Sequence, residues 1–369
     1  FQKILVINLP SRTDRRDAMS LSAAVSDLQL DWINGVSGED VMEKALPLGD
    51  HKSISPGNKG SWRAHMNALQ AIVEQNLTTA LILEDDVDWD IRIKSQLQTF
   101  ALASRGLQTL FSNKGSHPHA TPNNVELGEG DAAHRSSVPL PSVPLIASST
   151  SSLYGSGWDV LWLGHCGTHF PSPSPSRPDR VTIPNDITVP EPQHLKPHPL
   201  ATIDDLATLY PPHTRVVHRA NTTTCSVAYA LTQSGARKLL YEFGVREFSR
   251  GYDFMLSDWC DGLIPGFQDL QDLKSFEDPE DLGATMRDLQ DTGMVGNRPM
   301  CITAQPPLLG HHFPAKASSD ISGHGGAYVA VVETKYVRWS VRMNLGRLIK
   351  GEKIVDQWPD TDGGGDVEG

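Results

Sequence analysis

Cysteine is scarce in this chain: four in 369 residues, with no C-x-x-C pair among them. Cys166, Cys225, Cys260 and Cys301 stand far apart, which argues against a zinc knot. One or two disulfides are compatible with that spacing, but spacing alone does not pair them. Long apolar runs are absent too, and none reaches membrane-spanning length. Positive charge is in deficit, with 32 Lys and Arg against 44 Asp and Glu and a net charge of −12. So acidic a chain has no footprint for nonspecific nucleic-acid binding. A phosphate ligand would need local arginines or a metal. No glycine-rich phosphate loop follows the first apolar run, where Pro10-Ser11-Arg12 stands instead, and this counts against a nucleotidyltransferase. Gly164-His165-Cys166-Gly167 lacks the G-x-[SC]-x-G frame of a nucleophile elbow, so a hydrolase triad is rejected.

What is present is globular in composition, 38% hydrophobic and 21% charged, and long enough for one large α/β domain or two ordinary ones. Two N-x-[ST] triplets, Asn76-Leu77-Thr78 and Asn221-Thr222-Thr223, are compatible with a secretory compartment. The chain begins at Phe1 and enters a strand almost at once, so a signal or membrane anchor is expected outside it.

Lys3 to Leu9 is a short apolar run rich in β-branched residues and reads as a buried parallel strand. A polar turn with Arg12, Asp14, Arg15 and Arg16 follows, then a helix to about Leu28 and a short strand near Asp31. Residues 47–59 read as loop, Gly60-Ser61 opens a helix over 62–74, and Thr79 to Leu83 is a third strand. Strand alternating with helix predicts an open, mostly parallel α/β sheet with helices on both faces. Residues 112–157 and 171–199 are Pro/Ser/Gly-rich and read as insertions in a single domain spanning 1–350. Trp158 to Gly164, 214–218 and 226–231 read as strands, and 234–243 as a helix capped by Ser234. The proline-broken 302–309 reads as an edge strand or extended loop, 337–350 as a basic helix, and 351–369 as a disordered tail.

The third strand ends abruptly in Glu84-Asp85-Asp86, with Asp88 and Asp90 beyond. Open α/β sheets bind ligands at the carboxyl ends of their strands. Adjacent carboxylates in partial burial repel one another unless a cation sits between them. Mg²⁺ and Mn²⁺ take oxygen ligands and bridge phosphate oxygens, so a metal holding a diphosphate is the functional reading. A solvated acidic loop is the bland one. Asp86 belongs to both the Glu84-x-Asp86 and Asp86-x-Asp88 spacings and is the first choice as metal ligand, with Asp88 as the alternative. Glu84 and Asp85 are placed toward the nucleotide, and Asp90 is read as merely solvated.

With these residues in view, the chain resembles glycosyltransferase family 25, which includes bacterial lipopolysaccharide galactosyltransferases and collagen hydroxylysine galactosyltransferases. The resembling pieces stand in the family's order: Val6 to Leu9 with the Arg12–Arg16 turn, Gly60 to His65, Ala80 to Val87, Trp158 to Gly164, Ala228 to Leu231 with Gly235 to Leu240, Tyr252 to Leu256, and Ser319-Asp320-Ile321. Ser61 and Ala64 depart from it, standing where the family has cysteine and serine. The resemblance implies a GT-A-like, Rossmann-like fold, a UDP-sugar donor with galactose as default, Mn²⁺ (or Mg²⁺), and inversion at the anomeric carbon. It also implies a glycan or glycoprotein acceptor and a Golgi or ER lumen. No partner domain like a lysyl hydroxylase is visible, so a collagen substrate does not follow.

Roles can then be set beside their plainer readings. Asn8 would hydrogen-bond base or ribose, and one or two of Arg12, Arg15 and Arg16 would hold the donor phosphates by forked hydrogen bonds; otherwise Asn8 shapes a turn, and Arg15 and Arg16 face solvent from a helix. Asp253 is the candidate general base, with Asp258 in reserve; the plain reading is a helix N-cap. His311 or His312 would supply a further metal ligand, His312 being preferred, against a reading as surface histidines. His65 reads as a structural histidine under the donor loop. The rival from another class is an inactive family member that serves as a binding or scaffolding protein.

Overall fold

The computed structural model describes residues 1–112, 136–143, 152–173, 177–196, 203–264, 298–314, 321 and 332–361. Strands β1 (Lys3–Asn8), β2 (Asp31–Asn34) and β3 (Thr79–Glu84) alternate with helices α1 (Thr13–Val25) and α2 (Pro56–Glu74). β4 (Val87–Trp89), α3 (Ile93–Ser112), β5 (Ser137–Pro139), β6 (Val160–Gly164), β7 (Arg180–Ile183) and the single turn α4 (Leu206–Leu209) follow. The chain continues through β8 (Arg215–Arg219), β9 (Ala228–Thr232), α5 (Gln233–Tyr241) and α6 (Tyr252–Asp261). It ends with β10 (Cys301–Gln305), β11 (Leu309–Phe313), β12 (Glu333–Thr334) and α7 (Val341–Lys350).

The main sheet runs β2-β1-β3-β9-β6-β10-β8-β7-β5. Only β9 and β8 run against the other strands of this path, so the sheet is mostly parallel in direction, as the alternation of strands and helices predicts. Side chains alternate across it with the two-residue period of a strand. In β3, Leu81 and Leu83 pack with Met19 of α1 and Phe100 of α3, whereas Ala80 and Ile82 pack with Trp62 and Leu69 of α2 and Leu239 of α5. Both faces are therefore covered, and each fully buried leucine or isoleucine contributes roughly 1.5–3 kcal/mol. This is the Rossmann-like, GT-A-type architecture.

Local chemistry moves several boundaries. α2 starts at Pro56, earlier than the Gly60 expectation, because Ser55 caps it: its Oγ accepts from the Asn58 amide at 3.2 Å, and proline suits the first helical position. α5 is capped by Thr232, whose hydroxyl accepts from the Gly235 amide at 3.0 Å; Ser234 lies inside the helix. The two expected insertions are not wholly loop. β5 and β7 fall within them and pair in parallel at the sheet's end, where Arg180 is almost wholly buried. Residues 302–309 are not an edge: β10 lies between β6 and β8 in the sheet interior. Prolines 306 and 307 come after β10 has ended, so they deny it no hydrogen bond. Residues 351–361 are bonded to the body, with the Val355 amide donating to Asn344 Oδ1 at 2.7 Å and Arg338 paired to Asp356 at 2.6 Å. The remainder of the expected insertions (113–135, 144–151, 174–176 and 197–199), Ser319-Asp320, and 362–369 of the expected tail lie outside the described residues.

All four cysteines are paired, Cys166 with Cys225 and Cys260 with Cys301. The first pair ties the end of β6 to the loop before β9, and the second ties α6 to β10.

Two buried histidines set an acid limit on this fold. Burial lowers His165 to about 4 and His218 to about 3. Unfolded, each binds a proton near the ordinary histidine value of about 6.5. Below that pH the unfolded chain holds more protons than the folded one, so stability is lost as pH falls from about 6.5 toward 4. The expected loss is about 1.4 kcal/mol per pH unit per histidine at most. Melting temperatures measured from pH 7 to 4.5 should fall across this window, and a flat profile would contradict the assignment.

Candidate functional site

The chain order places a crevice. From β1 the chain crosses through α1 to β2 on one side, then through α2 to β3 on the other, so the sheet order reverses at β1 and β3. Ligands in such sheets bind outside the carboxyl ends of the strands at this switch point. Asn8 ends β1 and Glu84 ends β3, and the register aligns Ile7 with Glu84. The charge step at the end of the third strand, an apolar run ending in acids, therefore lies at the switch point.

Asn8 is buried, and its Nδ2 donates to Asp85 Oδ2 at 2.8 Å and to the Arg12 carbonyl at 3.1 Å. Arg15, in the first turn of α1, does not face solvent. Its Nη1 lies 2.7 Å from Asp85 Oδ1 and 3.0 Å from Asp86 Oδ2. Arg12 instead forks onto Asp14 at 2.9 and 2.8 Å, and Arg16 lies over the Trp32 ring at 4.4 Å. The structure thus brings Asn8 and Arg15 onto the acid cluster and bonds Arg12 to a neighbouring carboxylate.

The five acids are not equivalent. Asp85 and Asp86 form the turn between β3 and β4, which breaks the two-residue alternation of a strand. Burial raises the Asp85 carboxyl, and the adjacent Asp86 raises it further. Burial would raise Asp86 as well, but His311 and Arg15 outweigh it and hold Asp86 well below the usual carboxylate range. His311 Nε2 is 3.1 Å from Asp86 Oδ2. Burial opposes protonation of His311, yet Asp86 overrides it and raises the imidazole. Asp86 Oδ1 is buried and bonds to nothing among the described residues.

Asp88, the alternative ligand, is spoken for. It is fully buried and accepts from the Trp89 amide at 2.7 Å, Thr334 Oγ1 at 2.6 Å, the Arg342 amide at 3.1 Å and the Ser340 hydroxyl. It fixes β12 and the start of α7 to β4, so its oxygens are engaged by protein donors and Asp86 is the better placed of the two expected ligands. Asp88→Ala would strand these donors, so unfolding free energy by urea should fall by about 2–4 kcal/mol, and a variant as stable as wild type would refute this role. Asp90 is likewise not solvated. It is buried and accepts from the Arg92 amide at 2.9 Å and the Trp339 amide at 3.3 Å.

His312, the preferred histidine of the sequence reading, is likewise engaged elsewhere. β11 pairs with β4, His311 opposite Val87, and neighbours in a strand point to opposite faces. Only one of the two histidines can meet Asp86, and it is His311. His312 turns to Thr334 Oγ1 at 2.9 Å, and burial lowers it to about 4.

Asp253 lies in the first turn of α6, after Gly251, and is not the N-cap. Its Oδ2 accepts from the Cys225 amide at 3.0 Å, beside the Cys166–Cys225 disulfide. Burial raises its carboxyl, and the charge of nearby Glu84 adds to this. Asp258, the reserve base, is not brought to the acids. It is paired with Arg250 and lines a separate cleft with Phe243 and Met255.

Several participants escaped the sequence reading. Arg342 of α7 donates to the carbonyls of Asp85 at 2.5 Å and Val87 at 2.8 Å, bracing the acid turn from behind. The only signal for it was a basic helix late in the chain. Ser226 Oγ donates to Glu84 Oε1 at 2.7 Å, and nothing in the sequence marked that serine.

A metal fits this arrangement only in one form. Among the described residues no three His, Cys, Asp or Glu converge on a point. The bondless Asp86 Oδ1 and the facing His311 would supply two protein ligands. Mg²⁺-type ions commonly take one or two carboxylates and complete their shell with phosphate oxygens and water. The residues thus suit an ion carried with a diphosphate and not a closed protein cage.

Residues 1–127 match the family model described as glycosyltransferase family 25 (LPS biosynthesis protein). Procollagen galactosyltransferase 1-A of Xenopus laevis is 30% identical over 115 residues, covering 27% of this chain and 18% of that protein. Procollagen galactosyltransferase 1 of Danio rerio is 28% identical over 110 residues, with the same coverage. The matched stretch is thus less than a fifth of each relative's length. Over residues 1–127, where Asn8, Arg15 and the turn that carries Asp85 and Asp86 lie, this chain matches the model of glycosyltransferase family 25.

Proposed function

We propose that this chain is a metal-dependent, inverting glycosyltransferase that moves a hexose, galactose in the first instance, from a UDP-sugar to a hydroxyl on a glycan or glycoprotein. The observation that carries the reading is Asp86 at the switch point, with one bondless carboxylate oxygen and His311 facing it. Mn²⁺ or Mg²⁺, held by Asp86 and by His311 in its neutral form, would neutralise charge on the leaving diphosphate. Asn8 and Glu84 are placed to orient the nucleoside, and Arg15 to balance the negative charge around it.

Asp253 accepts the proton of the acceptor hydroxyl. The oxygen so freed bonds to the anomeric carbon, and the bond from that carbon to the UDP oxygen breaks, so that UDP departs with the electron pair. A base opposite the leaving group is what inversion by single displacement requires. Galactose is the first donor to test because the matched relatives are named galactosyltransferases.

A secretory lumen is proposed as the site of action. Disulfides persist in oxidising compartments, and here every cysteine is in one. No described helix is long and apolar enough to cross a membrane. The test is a screen of UDP-sugars for turnover with and without Mn²⁺. Turnover of UDP-galactose only with the ion is expected. A chain that shows no Mn²⁺-dependent UDP binding by calorimetry would sink the enzyme reading in favour of a binding or scaffolding role.

A further inference from the structure

We propose that Asn76 carries an N-linked glycan and that Asn221 does not, although both lie in N-x-[ST] triplets. Asn76 is exposed in the turn after α2, in the left-handed conformation that asparagine tolerates, φ +54°. Its Oδ1 accepts from Gln233 Nε2 at 2.5 Å, while Nδ2, the atom a glycan would occupy, makes no hydrogen bond among the described residues. Thr78, the third residue of the triplet, is exposed as well. Asn221 is the reverse case. Its Nδ2 donates inward to the Phe170 carbonyl at 3.3 Å. Its triplet threonine, Thr223, is buried with its hydroxyl 2.7 Å from that of Thr168. A sugar on Asn221 would have to break this contact against the segment that Cys166–Cys225 clamps, so a folded chain would not carry one.

Asn76 precedes the start of β3 and the acids follow its end, so a glycan would stand about 20 Å of strand from the crevice and leave it open. In the reaction a bond forms between Asn76 Nδ2 and the anomeric carbon of a polyprenol-diphosphate-linked oligosaccharide. The carbon–oxygen bond to the diphosphate breaks, the polyprenol diphosphate leaves with the electron pair, and Nδ2 gives up one proton. The test is secretion of the chain behind a cleavable signal peptide from a eukaryotic cell, followed by intact mass before and after amidase removal of N-glycans. The signal peptide sets the compartment, so the outcome is independent of the chain's native location. One glycan, lost in Asn76→Gln and in Thr78→Ala and kept in Asn221→Gln, is expected. A glycan on Asn221, or a secreted wild-type chain with Asn76 bare, would overturn the proposal.

A second, independent observation concerns the donor side and rests on the function proposed above. The geometry points to Ser226 as a positioning residue for Glu84. Its Oγ donates to Glu84 Oε1 at 2.7 Å, which leaves Oε2 without a protein partner among the described residues and available to a donor hydroxyl. The His65 ring packs behind the serine, stacked on Tyr252 at 4.1 Å and 4°, with Nδ1 2.9 Å from Tyr229 Oη and Nε2 3.4 Å from Ser226 Oγ.

Ser226→Ala removes one hydroxyl and keeps the packing. It is expected to raise KM for the UDP-sugar and the Mn²⁺-dependent Kd for UDP by on the order of tenfold, with kcat within about twofold of wild type. Ser226→Thr restores the hydroxyl and should restore KM. A Ser226→Ala that binds UDP like wild type would overturn the positioning role while the donor site stood, as would a Ser226→Thr that recovers nothing. A wild-type chain that binds no UDP would remove the donor site itself, and this role with it.

Discussion

Asp86→Ala should lose Mn²⁺-dependent UDP binding, with affinity falling by on the order of 100-fold or more in calorimetry. The size of the effect follows from the small number of protein ligands. With two available, Asp86 and His311, the loss of one leaves the ion held by the diphosphate and a single imidazole. The loss should be far smaller when UDP binding is measured without a divalent ion, where Asn8 and Arg15 act alone. Asp88→Ala supplies the contrast, since its carboxylate is consumed by four donors and its removal should lower stability first. If Asp86→Ala keeps wild-type affinity in the presence of Mn²⁺, the metal assignment fails.

Asp253→Asn should leave UDP affinity within about twofold of wild type and lower transfer by roughly 10²–10⁴, the usual range for loss of a general base. Asparagine keeps a side-chain oxygen to accept from the Cys225 amide, so the local geometry survives the change. It cannot take a proton. The raised carboxyl of Asp253 gives the test a second reading. Burial, helped by Glu84, keeps this group protonated to higher pH than an ordinary aspartate, and only the ionised form can act as base. The wild-type rate should therefore fall on the acid side at a pH above the ordinary aspartate range, and the residual rate of Asp253→Asn should lack that limb. A fully active variant would show that the base lies elsewhere.

The apolar run of β3 and the acids after it were readable because a buried parallel strand is continuous in sequence and its end is a charge step. Asn8 was readable for the same reason on β1. What failed depended on partners far along the chain. Asp86 and Asp88 are two apart, but the turn at Asp85-Asp86 abolished their common face, and the donors that claim Asp88 come from residues 334–342. The choice between His311 and His312 turned on the register of β11 against β4, which spacing does not contain. β5 and β7 are hidden within Ser-, Pro- and Gly-rich sequence because they are strands of only three and four residues. The cysteine pairs required the fold itself.

The sheet order has a consequence for the growing polypeptide. One edge of β3 is closed by β1, made early, but the other is closed by β9, with Leu83 opposite Ala228. While the chain emerges in order, β3, apolar from Ala80 to Leu83, waits with an unpaired edge until β9 and the cysteine beside it have been made. The same holds for β6, whose other neighbour, β10, comes later still. The segment that matches the family most clearly is thus not a folding unit. Residues 1–127 released alone should be captured by chaperones or aggregate, and domain exchange with a relative would have to carry the strands through β10 as one block.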